Sequence, residues 1–327
     1  MIEVSHLSYA YGSSEVLTNV GFKVNNGKIY GIYGGKGSGK STLLALLSGA
    51  LSLQSGKVRI NGFDLAREPV PAKRCIGYLP QNIRFYPDMT PYELLDFVAA
   101  ARAVRDDRRF LHVHEILEFL ELGELRNRPL NRLTPVQLRR VGLGQALVGA
   151  PEILLLDAPA QGLVASESRE IRACIREIAE KGRTVFLATA VPVEILELCH
   201  EVCLLNNGVL EAPTPVEELL TGASLLLCVR GDRSGIAEQL SAMGEVLSCR
   251  ILPAQSAGDD SAVALRLRTA ERGITARVVQ LLTQAGFEVL RAEEETPGEA
   301  ELALRKSAAG ITRGFTAPAR AEKEETE

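Results

Sequence analysis

From position 34 the chain reads Gly34-Gly35-Lys36-Gly37-Ser38-Gly39-Lys40-Ser41-Thr42, which carries the pattern G-x-x-x-x-G-K-[ST]. Glycines at this density let successive backbone N–H groups turn inward with no Cβ in the way, and a concave run of N–H groups receives anions. The lysine and hydroxyl that close the run would give a positive charge to the β- and γ-phosphates and a ligand to a divalent cation. The chemistry on offer is the gripping of a polyphosphate. Asp157 follows Ile153-Leu154-Leu155-Leu156, and a carboxylate at the end of a buried strand would serve the metal side of such a site.

These residues need a strand before the glycines and a helix after them. Ile29 to Tyr33 is a short β-prone run, and Lys40 to Leu47 reads as helix, so the loop has the expected context. Residues 1 to 30 alternate short apolar runs with turn signals at Tyr11-Gly12 and Asn25-Asn26-Gly27, the pattern of antiparallel strands. Short strands are expected again over 54–80 and helix over 90–125, the latter opened by a capping box at Thr90-Pro91-Tyr92-Glu93. The run Arg105-Asp106-Asp107-Arg108-Arg109 reads as a solvated linker inside this helical insert. An apolar strand at 153–156, an amphipathic helix at 166–181 and a buried strand at 184–188 imply a parallel sheet covered by helices. From Ala223 the order becomes β-α-β-β-α-β, that of ferredoxin-like modules, and 301–327 reads as a disordered, Ala-, Arg- and Glu-rich tail. The expected domains are 1–222, 223–300 and the tail.

Over about 1–220 the sequence resembles the nucleotide-binding subunits of ATP-binding cassette (ABC) transporters, and most nearly the type serving multidrug and gliding-motility exporters. The resemblance implies an α/β P-loop NTPase domain with an antiparallel β subdomain and a helical subdomain, followed here by the small α+β ferredoxin-like domain. It implies ATP and Mg²⁺ as ligands. Tyr11 matches the aromatic that stacks on adenine, and Gln81, in Gly77-Tyr78-Leu79-Pro80-Gln81-Asn82, matches the glutamine that touches Mg²⁺ and relays to the membrane partner. Ser41 and Asp157 match the other metal-side positions, and Leu133-Thr134-Pro135-Val136-Gln137 matches the signature segment. The implied partners are an integral membrane permease and a second cassette, either another copy or a different ABC ATPase. The implied location is the cytoplasmic face of the plasma membrane, held through the permease.

The departures from the family concern bond cleavage and dimer closure. The hydrolytic glutamate after the metal aspartate corresponds to Ala158, the γ-phosphate histidine to Ala190, and the aspartate of the dimer-communication loop to Val164. A methyl group accepts no proton, and removing a general base typically lowers a rate by about 10²- to 10⁴-fold. In the signature segment Pro135 has no N–H to offer and Val136 brings a branched side chain where the family has glycine. Thr134 and Gln137 instead spell a capping box, the mark of a helix start that satisfies its own N–H groups.

Composition bounds the alternatives. A chain of 327 residues with 46% hydrophobic and 24% charged content is ordinary globular protein, and its length fits about two domains. A net charge of -4 offers no basic excess, so nucleic acid is not an expected partner. The longest apolar stretch, Leu43 to Leu53, falls well short of the roughly 20 residues that span a bilayer, and the first residues carry no secretory pattern. Six scattered cysteines form no zinc ladder, and Cys199-His200-Glu201-Val202-Cys203, His112 and His114 read as packing residues. The leading reading is an ATP-binding transporter subunit with impaired or absent hydrolysis; an active transport ATPase aided by a partner and a free-standing nucleotide sensor are the alternatives.

Overall fold

The computed structural model describes residues 1–211, 213–221, 223–251, 262–269, 273–295 and 304. The chain divides into two units, Met1–Thr214 and Pro215–Glu327. The first runs β1 (Ile2–Tyr11), β2 (Ser14–Val24), β3 (Ile29–Tyr33), α1 (Lys40–Leu47), β4 (Lys57–Ile60), β5 (Phe63–Asp64), α2 (Pro69–Arg74), β6 (Ile76–Leu79), α3 (Pro91–Ala101), α4 (Asp106–Phe119), α5 (Pro135–Leu147), β7 (Ile153–Asp157), α6 (Ala165–Glu180), β8 (Thr184–Thr189), α7 (Pro192–Leu198), β9 (Glu201–Asn206) and β10 (Val209–Leu210).

Strands β3, β7 and β8 are buried along their whole length, as continuous apolar runs inside a parallel sheet must be. The sheet order is β10-β9-β3-β8-β7-β6, parallel from β9 through β6. Alternate residues serve two layers. Leu154, Leu156, Val185 and Leu187 pack into the helical layer, whereas Tyr30, Ile32, Leu155 and Phe186 pack with α1 and the antiparallel sheet β2-β1-β4-β5. In register, Tyr33 lies beside Thr189 and Asp157 beside Ala188, so the loops leaving β3, β7 and β8 emerge along one edge. Ligands in open α/β sheets bind at that edge, outside the carboxyl ends of the strands.

The helical insert starts where expected. Thr90 accepts the Glu93 N–H while the Glu93 carboxylate accepts the Thr90 N–H, closing both halves of the box. Two expectations are corrected. Residues 69–74, within the stretch read as short strands, form α2, which Pro69 opens at its first position. The run 105–109 is the start of α4 rather than a solvated linker. Asp106 and Asp107 sit in its first turn, where negative charge is favoured, and Arg109 bridges Asp96 at 2.9 Å and Asp106 at 2.8 Å.

Beyond β11 (Thr214–Pro215) and α8 (Val216–Thr221), the second unit runs β12 (Ala223–Arg230), α9 (Arg233–Ser241), β13 (Val246–Ile251), β14 (Ala262–Thr269), α10 (Thr275–Gln284) and β15 (Glu288–Glu295). Its antiparallel sheet has the order β13-β14-β12-β15, a ferredoxin-like arrangement with its own core of Leu225, Leu227, Val229, Ile236, Leu240, Leu265, Leu267, Val278 and Leu282. The tail expected over 301–327 lies outside the described residues apart from Leu304, which is buried. No helix of the described residues is long and apolar enough to cross a membrane.

Candidate functional site

The glycine loop leaves β3 and feeds α1. At Gly34 a Cβ would stand 2.3 Å from the Leu205 carbonyl oxygen and 2.7 Å from Ser38 Oγ, so only glycine fits. Gly39 holds φ +102°, a left-handed position that glycine reaches without strain, and it precedes α1 with no side-chain cap on the helix. The first N–H groups of α1 therefore stay available to an anion. Lys40 folds back over the loop, its Nζ donating to the carbonyls of Gly34 at 2.9 Å and Gly35 at 2.7 Å and to Ser38 Oγ at 3.3 Å.

A cavity of about 550 Å³ opens on this loop, within the range of small-molecule sites. Its walls bring together Tyr11 from the end of β1, Lys36 to Thr42, Gln81 after β6 and Asp157 at the end of β7. Gly34 and Gly35 lie behind, engaged by Lys40 through their carbonyls. Tyr11 stands half-exposed at 52%, edge-on to Tyr9 with ring centres 5.0 Å apart. Asp157 is 3% exposed and accepts hydrogen bonds from the Ser41 hydroxyl and the Gln81 backbone N–H. Burial raises its carboxyl above the ordinary range, opposed by those hydrogen bonds and by the charges of Lys40 and Arg139. Burial likewise lowers Lys40, against the pull of Asp157.

Ala158 and Ala190 line the same cavity. Ala158 holds φ +45°, in the turn where its N–H donates to the Ala188 carbonyl and its carbonyl accepts the Gln161 N–H. Val164 is exposed just before α6. Leu133 to Gln137 do not line the cavity. Thr134 Oγ1 accepts the Gln137 N–H at 3.4 Å and the Gln137 side chain accepts the Thr134 N–H at 3.0 Å, so the expected capping box is formed.

The structure adds residues that the linear reading did not single out. The Gln161 amide oxygen accepts from the Gln81 side chain, and Arg139 of α5 donates to the Gln81 and Gln161 carbonyls at 3.4 Å each. Glu194, in the first turn of α7, lines the cavity at 3% exposure. The sequence signal for Glu194 was an acid two residues after a helix-opening proline, which marks a helix start and says nothing of burial. The histidines have local partners: His112 Nε2 accepts the Gly149 N–H at 3.0 Å, and His200 Nδ1 accepts the Ile29 N–H at 3.2 Å.

Residues 17–161 match the family model described as ABC transporter. An ABC transporter ATP-binding protein of Bacillus subtilis, YxlF, is 31% identical over 67% of this chain and 72% of its own length. The chain belongs to the ABC transporter ATP-binding family. It is an ATP-binding subunit of that family. The Nod factor export ATP-binding protein I of Paraburkholderia xenovorans is 27% identical over 78% of this chain and 87% of its own length. Among solved structures, a dimeric bacterial ABC transporter cassette superposes with a TM-score of 0.60 at 25% identity, over 66% of this chain and 98% of the cassette.

Proposed function

We propose that this cassette grips Mg·ATP and couples it to a membrane permease with little or no hydrolysis. The observation that carries the reading is the lining of one cavity: an intact phosphate loop, a buried Asp157, and alanines at 158 and 190. Tyr11 would stack on the base, the N–H groups of 37–42 would cradle the phosphates, and Lys40 would reach the β- and γ-phosphates. The donor set suits Mg²⁺ that keeps phosphate and water ligands, because Ser41, Gln81 and Asp157 supply a hydroxyl, an amide and one carboxylate. Among the described residues no group of three or more His, Cys, Asp or Glu forms an all-protein cage. Bound there, Mg²⁺ would neutralise phosphate charge and polarise the terminal phosphoryl group.

Neither alanine can take a proton from water, and the self-capped Thr134 segment offers its N–H groups to its own helix rather than to a facing cassette. In a dimer with itself or with a second ABC ATPase, neither composite site would be complete. For the permease, a groove of about 710 Å³ lined by Tyr86, Pro87, Asp88, Met89, Glu93 and Phe97 follows the Gln81 loop, with Tyr86 and Phe97 exposed. We assign export by analogy with the Nod factor export relative, and a site on the inner face of the membrane. In this reading residues 1–222 carry the nucleotide, and 223–300 form the appended domain. Calorimetry and phosphate release test the proposal together. Heat of Mg·ATP uptake with no brisk turnover is expected, whereas turnover of about 1 s⁻¹ or more, ordinary for working enzymes, refutes it.

A further inference from the structure

A second cavity, of about 620 Å³, shares no residue with the nucleotide site. It is set between the end of α2, the end of α3 and Gly149, beside Ile76 at the start of β6. Ile76 pairs with Ile153, which begins β7, whereas Asp157 ends that strand in the nucleotide cavity. The two cavities therefore open at opposite edges of the parallel sheet.

Three cations line this second cavity, Lys73 and Arg74 in the last turn of α2 and Arg102 at the cap of α3, and no carboxylate does. Cations at helix C-termini offset the partial negative charge there, which accounts for their residue type. It does not account for how they are held. Arg102 is half-buried, and a Cβ on Gly149, at φ +81°, would stand 3.3 Å from its Cδ. A Cβ on Gly49, at φ +68°, would stand 2.5 Å from Lys73 Cε. Each stem lies against a bare glycine in a left-handed conformation, so both charges are fixed at their stems.

Nor are the charges neutralised. Arg102 donates to the Ile76 carbonyl at 2.8 Å, which leaves most of the guanidinium's donors for another acceptor. Among the described residues no carboxylate pairs with any of the three cations. The acids nearest along the chain are engaged elsewhere. Asp64 bridges Lys57 at 3.4 Å, Glu68 accepts the Asp64 N–H at 3.2 Å, Asp106 pairs with Arg109 at 2.8 Å and Asp107 with Arg105 at 3.3 Å. Burial alone lowers Arg102 from its ordinary range, with no anion beside it to pull the other way. A half-buried cation without a counter-charge is unfavourable until an anion arrives. The fork of Arg102 beside two further cations suits a dianionic phosphate better than a singly charged carboxylate. Val70 and Val104 add apolar wall, and a cavity of this size holds more than a bare phosphate.

We propose that this cavity binds a phosphomonoester with a small apolar body, its phosphate held by Lys73, Arg74 and Arg102 and its body against Val70 and Val104. The inference is independent of the Mg·ATP reading, and binding involves no covalent step.

Phenyl phosphate is the probe, titrated by calorimetry into the full chain at constant ionic strength, with benzoate and inorganic phosphate for comparison. Because the glycine loop offers phosphate a second seat, each titration is repeated in Lys40→Ala. Saturable binding of phenyl phosphate at about millimolar concentration is expected, about tenfold tighter than benzoate or inorganic phosphate, and kept in Lys40→Ala. Lys73→Glu and Arg74→Glu, both at exposed positions, should each weaken it about tenfold and leave Mg·ATP affinity within about twofold. Absence of saturable binding, benzoate or inorganic phosphate binding as tightly, or binding unchanged in both charge-reversal variants overturns the proposal. Loss of phenyl phosphate binding in Lys40→Ala assigns it to the glycine loop and overturns the proposal as well. Should the variants fail to fold, the unaltered chain decides: with Mg·ATP in excess, phenyl phosphate must raise the melting temperature more than benzoate does, and equal shifts overturn the proposal.

Discussion

At the residue scale, the pocket concentrates groups whose ordinary ionisation is disfavoured by burial. Asp157 and Glu194 are raised and Lys40 is lowered, each with burial as the largest cause. A carboxyl raised in the folded state is a burden that appears as pH climbs through its folded pKa and is absent below its unfolded one. Glu194→Gln is therefore expected to raise the melting temperature at neutral and alkaline pH, with the gain vanishing in acid. Thermal scans across pH check the sign. Ala158 carries backbone strain at φ +45°. Ala158→Gly should gain up to about 1 kcal/mol in urea unfolding, and phosphate release should stay as slow as before. Ala158→Glu or Ala190→His alone is expected to leave turnover low, since each restores one polar group beside the same self-capped signature segment.

At the element scale, short sequence signals explain where helices begin. Thr90 with Glu93 and Thr134 with Gln137 both form complete boxes, readable because cap chemistry spans only four residues. Thr134→Ala is expected to cost about 1 kcal/mol by urea denaturation while Mg·ATP affinity is unchanged, because the hydroxyl serves its own helix. A drop in affinity greater than about tenfold would show that Thr134 also serves the nucleotide. The misreading of 105–109 has the same local origin. Alternating charges look like a solvated loop until the two aspartates are placed in a first turn and Arg109 finds Asp96 on the neighbouring helix.

At the scale of the whole molecule, the two units have separate cores, one pair of layers in 1–214 and another around β12 and β14. Leu265 is fully buried in the second core. Leu265→Ala is expected to cost about 2–5 kcal/mol on unfolding and to leave nucleotide affinity intact. Calorimetric melting beside a binding titration checks both halves. The proposed membrane partner is tested by capture: Phe97→Ala and Tyr86→Ala should weaken co-purification with an integral membrane protein while leaving nucleotide uptake unchanged.

The phosphate loop, the central strands and the missing glutamate and histidine were legible in the linear chain. Their signals are contiguous: a glycine spacing, an unbroken apolar run, or a residue at a set offset from a motif. Arg139, Gln161 and Glu194 were not legible as a group, because Gln161 and Glu194 line the pocket, and Arg139 braces Gln81 and Gln161, from three segments separated by tens of residues. Only the parallel register that brings the ends of β3, β7 and β8 to one edge gathers those segments. Burial completed the distinction. A glutamate in a first helical turn is ordinarily solvated, and it takes the packing of α7 against the sheet to bury one of its oxygens with no hydrogen-bond partner among the described residues.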